Sequence, residues 1–116
     1  MKNIKRFNFS GHPVAGFEIA PLVGANISLV AEEASATIRE ILLSLPGREE
    51  LLRGEPAEII LPGMSWVAGL LVAEWHGQFG HFPRIRWSVR GDTGFVWPEE
   101  AKLDLASVRE SARTAR

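Results

Sequence analysis

The sequence predicts an α/β domain of Rossmann-like type, with a mostly parallel sheet flanked by helices. Three observations predict it. Short apolar runs bounded by Pro and Gly alternate with longer helical patterns, the order of strand–helix units. The run Ala57 to Leu61, between Pro56 and Pro62, reads as a strand buried on both faces. A chain of 116 residues has room for one core, so 1–116 is read as a single domain.

The elements follow in order. Ile4 to Phe9 is a first strand, with Phe7 and Phe9 two residues apart, and it ends in the turn Ser10-Gly11-His12-Pro13. Val14 to Leu22 reads as a short irregular helix, broken by Pro21 and ended by Gly24. Ala25 to Val30 reads as a second strand. From Glu32 to Leu45 the apolar residues Ala34, Ile38, Ile41, Leu42 and Leu45 fall on one helical face. Glu32 and Glu33 complement the helix dipole, and Pro46-Gly47 stops the helix. Arg48 to Pro56 is a charged connection with space for one helical turn.

After the strand 57–61 and the turn Pro62-Gly63-Met64-Ser65 comes a second helix, Ser65 to Phe79. It is apolar nearly all round, and Trp66 and Trp75 are its core or subunit anchors. Gly77 to Pro83 is a turn. Arg84 to Arg90 alternates, with Ile85, Trp87 and Val89 on one face and Arg84, Arg86, Ser88 and Arg90 on the other. Phe95 to Trp97 is a further short strand. A last helix, from Asp104 or Leu105 to Ala115, turns Leu105, Val108 and Ala112 inward and Arg109, Arg113 and Arg116 outward.

Composition narrows the function. Formal net charge is −1, so there is no global basic field for duplex DNA. Charge is unevenly spread: Glu32 to Glu58 holds seven Glu against three Arg, whereas His81 to Gly91 holds three Arg and no acid. An anion site belongs near the second stretch. Without Cys there is neither a disulfide nor thiolate chemistry, which fits a reducing compartment. No run of 18 apolar residues is present, and the charged N-terminus lacks the apolar core of a signal peptide, so a cytoplasmic protein is expected, with no membrane contact.

In parallel sheets, ligands gather at the carboxyl ends of the strands. Two turns therefore stand out. Pro62-Gly63-Met64-Ser65 joins a buried strand to a helix N-terminus, where free N–H groups attract anions and Gly63 lets backbone approach a ligand. Ser65 is there either a ligand contact or simply the helix N-cap. Ser10, Gly11 and His12 repeat the logic at the first strand. His81 is a further candidate for the site. Among Arg84, Arg86 and Arg90, Arg84 is the phosphate contact expected, because a guanidinium makes two hydrogen bonds at once. The histidines His12, His76 and His81 match no metal-ligand spacing, and His76 reads as a helix-end residue. No metal or cofactor is expected. The adjacent pairs Glu32-Glu33, Glu49-Glu50 and Glu99-Glu100 read as solvated charges. No catalytic residue is identified.

Asn8-Phe9-Ser10-Gly11-His12-Pro13, Leu61-Pro62-Gly63-Met64-Ser65, Glu74 to Pro83, and Leu105 with Val108-Arg109 and Ala112-Arg113 resemble, in that order, the Csx-fifteen family of small type III CRISPR-associated proteins. The middle of the chain, Ala25 to Pro56, matches poorly. Family members usually read Asn-Phe-Ser-His-Pro, and here Gly11 stands before His12. The resemblance implies a CARF-like domain that forms a homodimer or higher homo-oligomer and binds a cyclic oligoadenylate, most simply cyclic tetra-adenylate. Sequestration of that messenger is the function expected. A metal-independent ring nuclease and an adaptor subunit without a nucleotide remain alternatives.

Overall fold

The structure, a computed structural model, describes residues 4–20 and 27–116. Its elements are β1 (Lys5–Asn8), β2 (Glu18–Ile19), α1 (Ala31–Leu43), α2 (Arg48–Leu52), β3 (Ala57–Ile60), α3 (Ser65–Phe79), β4 (Arg84–Arg86), β5 (Val89–Gly91), β6 (Gly94–Val96), β7 (Lys102–Asp104) and α4 (Leu105–Ala115). The main sheet has the order β2-β1-β3-β4-β7. Its first four strands run parallel, and β7 closes one edge antiparallel to β4. The expected α/β class with a mostly parallel sheet is therefore the fold observed.

Register explains the core. Phe7, Ile59, Ile85 and Leu103 stand side by side across four strands. This apolar row meets Ile38 and Leu42 of α1, Leu51 of α2, and Val67, Leu71 and Trp75 of α3. The crossovers β2→β3 and β3→β4 travel in the same direction along the sheet. Right-handed crossovers of one direction place their helices on one face, and here that face is the apolar one. Arg39 fastens α1 to α3 through a two-pronged bond to Glu74, at 2.9 and 2.7 Å.

The opposite face has another character. Arg6, Glu58, Arg84 and Asp104 form a row of alternating sign across the same four strands. Asn8, Ile60, Arg86 and Lys102 form the next row towards the carboxyl end. The guanidiniums of Arg6 and Arg86 lie 5.9 and 5.5 Å from the ring centroid of Phe17, which covers them.

Several expectations are corrected. In place of an irregular helix over 14–22, the chain makes a turn and the two-residue strand β2; Pro21, Leu22 and Gly24 lie outside the described residues. Ala25 and Asn26 of the expected second strand also lie outside them. Residues 27–30 are not a strand but lead directly into α1. The alternating run 84–90 is broken at Trp87-Ser88. Its second half leaves the sheet as the β5–β6 hairpin, so Trp87 and Val89 are exposed while Ile85 is buried. The strand β7 was not anticipated, because three residues carry too little pattern. Helix α4 is capped by Asp104, whose Oδ1 accepts from Ala106 N at 3.0 Å. It has no buried residue, and Val108, expected inward, is 51% exposed.

Helix α3 ends at Gly80, which takes φ 77° and donates its N–H to His76 O at 2.8 Å. A Cβ there would meet no atom within 4 Å, so only the left-handed backbone requires glycine. Gly80→Ala is expected to cost about 1 kcal/mol of stability, read as a lower urea midpoint with an unchanged slope.

Candidate functional site

The connection leaving β1 runs to β2 on one side, and the connection leaving β3 runs to β4 on the other. Where outgoing connections diverge between adjacent parallel strands, a crevice opens at their carboxyl ends. A cavity of about 280 Å³ occurs at that point. The exit of β1 lines it with Ser10 and His12, the exit of β3 with Leu61 and Gly63, and the end of β4 with Arg86 and Trp87; Trp97 adds a wall from beyond β6.

The first wall is built by Asn8, which is fully buried. Its Oδ1 accepts from Ser10 N at 2.9 Å and from Ser10 Oγ at 2.6 Å, and its Nδ2 donates to His12 O. Ser10 Oγ accepts in turn from His12 N at 3.2 Å. These bonds close a tight side-chain-supported turn. Gly11 sits in it at φ 94°, a conformation open to glycine at little cost. Ser10 thus holds the loop in shape, with its hydroxyl proton committed to Asn8, and the imidazole of His12 is left exposed at the rim.

The second wall is the approach to α3. The N-cap position belongs to Met64, which makes no side-chain cap bond, and Ser65 is the first helical residue. The N-cap role considered for Ser65 is therefore corrected by one position. Among the described residues no side chain caps the first turn of α3, the condition in which a helix start attracts an anion. Gly63 lines the cavity directly, whereas Pro62, Met64 and Ser65 flank it.

The third wall carries the charge. Arg86 is 7% exposed. Its Nη2 lies 2.8 Å from Glu58 Oε1 and 2.6 Å from Glu99 Oε2. Glu58 is itself buried, and its Oε1 also accepts from Arg6 Nε at 3.1 Å. Arg86 Nε is buried with no hydrogen-bond partner among the described residues. Glu99 is held on its other oxygen by Lys102 Nζ at 2.7 Å. The bond from Lys102, and after it that from Arg86, holds the Glu99 carboxyl below its usual range.

Two expected site residues stand elsewhere. His81 precedes β4, and its Nε2–H donates to Leu51 O at 2.9 Å. Arg84 opens β4 and lies against Lys102, Leu103 and Asp104. Both sit towards the amino end of a strand whose carboxyl end forms the cavity. Arg86, two residues on, takes the position expected of Arg84. Asn8, Trp87 and Trp97 were not anticipated. A wider hollow of about 570 Å³ runs along α4, but that helix alone lines it, which makes it an open surface.

These features define a single Rossmann-like α/β domain with a cavity at the switch point of its sheet. No family model, curated protein or solved structure matches the chain. Among the described residues, no helix is long and apolar enough to cross a membrane.

Proposed function

We propose that this domain binds a cyclic oligoadenylate, with cyclic tetra-adenylate the first candidate, and lowers its free concentration in type III CRISPR signalling. The observation that carries the reading is the coincidence, in one cavity, of a buried arginine and two tryptophans, with the uncapped start of α3 flanking it two residues beyond Gly63. A phosphodiester asks for the cation and the N–H groups. An adenine asks for a flat apolar wall, which Trp87 and Trp97 supply. At about 280 Å³ the cavity is at the lower end of ligand pockets and suits part of a ring. Two copies related by a twofold axis would each take half of a four-adenylate ring.

Binding is favoured over cleavage because the Ser10 hydroxyl donates to Asn8 and, among the described residues, hydrogen-bonds to no side-chain base that would activate it. The adaptor reading draws on the β5–β6 hairpin, which exposes Val89, Phe95 and Val96.

Gly63 offers a direct test. Gly63 lines the cavity, a Cβ on it would meet no atom within 4 Å, and its φ is not left-handed, so a larger side chain is added at the cavity wall without strain. Gly63→Phe is expected to weaken binding of radiolabelled cyclic tetra-adenylate by at least about 100-fold while leaving the melting temperature unchanged. Extraction and sizing of the bound ligand separates intact ring from linear product. Failure of the unaltered protein to bind rings of any size would discard the nucleotide reading in favour of the adaptor.

A further inference from the structure

Two guanidiniums, those of Arg6 and Arg86, surround one buried carboxylate, that of Glu58. The cluster carries one positive charge in excess; Arg6 meets solvent with 35% of its side chain, whereas Arg86 is buried and shares Glu58 with it, so a second anion on Arg86 offsets the cost of burying its charge. That anion is Glu99. Its side chain is 65% exposed and reaches Arg86 Nη2 at 2.6 Å from the segment between β6 and β7. Three features set this contact apart from an ordinary surface ion pair. Arg86 is itself a wall of the cavity. Arg86 keeps its buried partner Glu58 when Glu99 departs. Glu99 has a second cation, Lys102, at 2.7 Å, so it is not left unpaired on leaving Arg86. Both charges thus have a partner in the exchanged state.

We propose that Glu99 is an internal stand-in for a ligand phosphate: it neutralises Arg86 in the empty protein, and an incoming phosphate group displaces it and takes its place on the guanidinium. The inference rests on the ligand-binding reading of the cavity and extends it by naming the phosphate anchor and the group that competes for it. Displacement also carries a signal. Glu99 is two residues from Trp97, which lines the same cavity, so tryptophan emission is the probe placed to read the exchange. The competition sets a threshold, because each phosphate must outbid a carboxylate already in place, at lower effective cost for a multivalent anion than for a single one.

The test uses inorganic pyrophosphate, which carries the phosphate chemistry without any base, titrated calorimetrically into the unaltered protein, Glu99→Gln and Glu100→Gln. Glu100 is the neighbouring exposed carboxylate, and its replacement changes net charge equally. Glu99→Gln is expected to bind pyrophosphate about five- to ten-fold more tightly than either other protein, since the competing charge is gone. Titration of the unaltered protein should also change its tryptophan emission. Equal affinity in Glu99→Gln and Glu100→Gln would overturn the exchange, as would failure of all three to bind. Cyclic tetra-adenylate, titrated in parallel, separates the two readings. Tighter pyrophosphate binding in Glu99→Gln with no nucleotide binding keeps the exchange and removes the nucleotide; nucleotide binding with no effect of Glu99→Gln on either ligand does the reverse.

Discussion

Arg86→Met is expected to lower stability by about 3–5 kcal/mol, because it leaves the Glu58 carboxylate buried with Arg6 as its remaining cation. That is a large share of the roughly 5–15 kcal/mol that holds a domain together. The loss belongs to Glu58 rather than to Arg86. Most of it should therefore return when the carboxylate is removed as well, in Glu58→Gln/Arg86→Met, since an apolar or neutral replacement of a whole buried pair is often tolerated. Urea unfolding of the two proteins makes the comparison. A single variant that unfolds within about 1 kcal/mol of the unaltered chain would mean that water reaches Glu58 and that Arg86 is not its necessary partner. Phosphate binding should be lost in both variants, because both lack the cavity's guanidinium. Stability and binding are thus expected to separate, with the double variant folded but unable to bind phosphate.

The difference between Arg84 and Arg86 shows what the sequence could and could not reveal. Alternation placed both on one face, and register confirms that face. Position along the strand was the missing quantity. Pattern alone ran the strand to Arg90, which made 84 and 86 look equivalent. The chain leaves the sheet after Arg86, and only the strand end tells which arginine reaches the switch point. Trp87 is hidden for the same reason, since a tryptophan in a period-2 run reads as core until the strand is seen to stop; Trp97 ends a separate expected strand, 95–97, and only the fold brings it to the cavity. Asn8 falls within the expected strand 4–9 and opens the first stretch of the resemblance, but its part in the cavity wall is not legible there, because it follows from bonds the side chain makes two and four residues ahead.

Where a local signal was long, it located structure well. The apolar stretch 65–79 became α3 with both ends as expected. The Pro-bounded run gave β3, every residue of which is buried. The short pieces were less legible. The strands β2 and β7 owe their existence to a neighbour's unpaired backbone rather than to their own composition, and a two- or three-residue strand has no period to detect. Glu58 is the clearest override: a charged residue in an apolar run, tolerated because Arg6 and Arg86 converge on it from two other strands.

Trp75→Ala is expected to destabilise the monomer by about 3–5 kcal/mol, not to act on assembly. The sequence offered Trp75 as either core or subunit anchor, and the structure assigns it to the core: it is 0% exposed, 6.3 Å from the Phe7 ring and 4.9 Å from the Phe79 ring, centroid to centroid. Removing it opens a void between α3 and the centre of the sheet, which the surrounding Phe7, Ile59 and Leu71 cannot close without moving the helix. Its indole N–H adds a second comparison. Nε1 is buried without a hydrogen-bond partner among the described residues, so the polar atom contributes nothing there and is itself a cost. Trp75→Phe deletes that cost while keeping most of the ring, and should unfold within about 1.5 kcal/mol of the unaltered protein. Sedimentation of Trp75→Phe should give the same oligomeric state as the unaltered chain, whereas Phe95→Ser, at a residue 62% exposed on the β5–β6 hairpin, tests assembly with little expected effect on the fold. If Trp75→Phe shifted the sedimentation coefficient at unchanged melting temperature, the indole would be an assembly contact and the core assignment of this residue would fail.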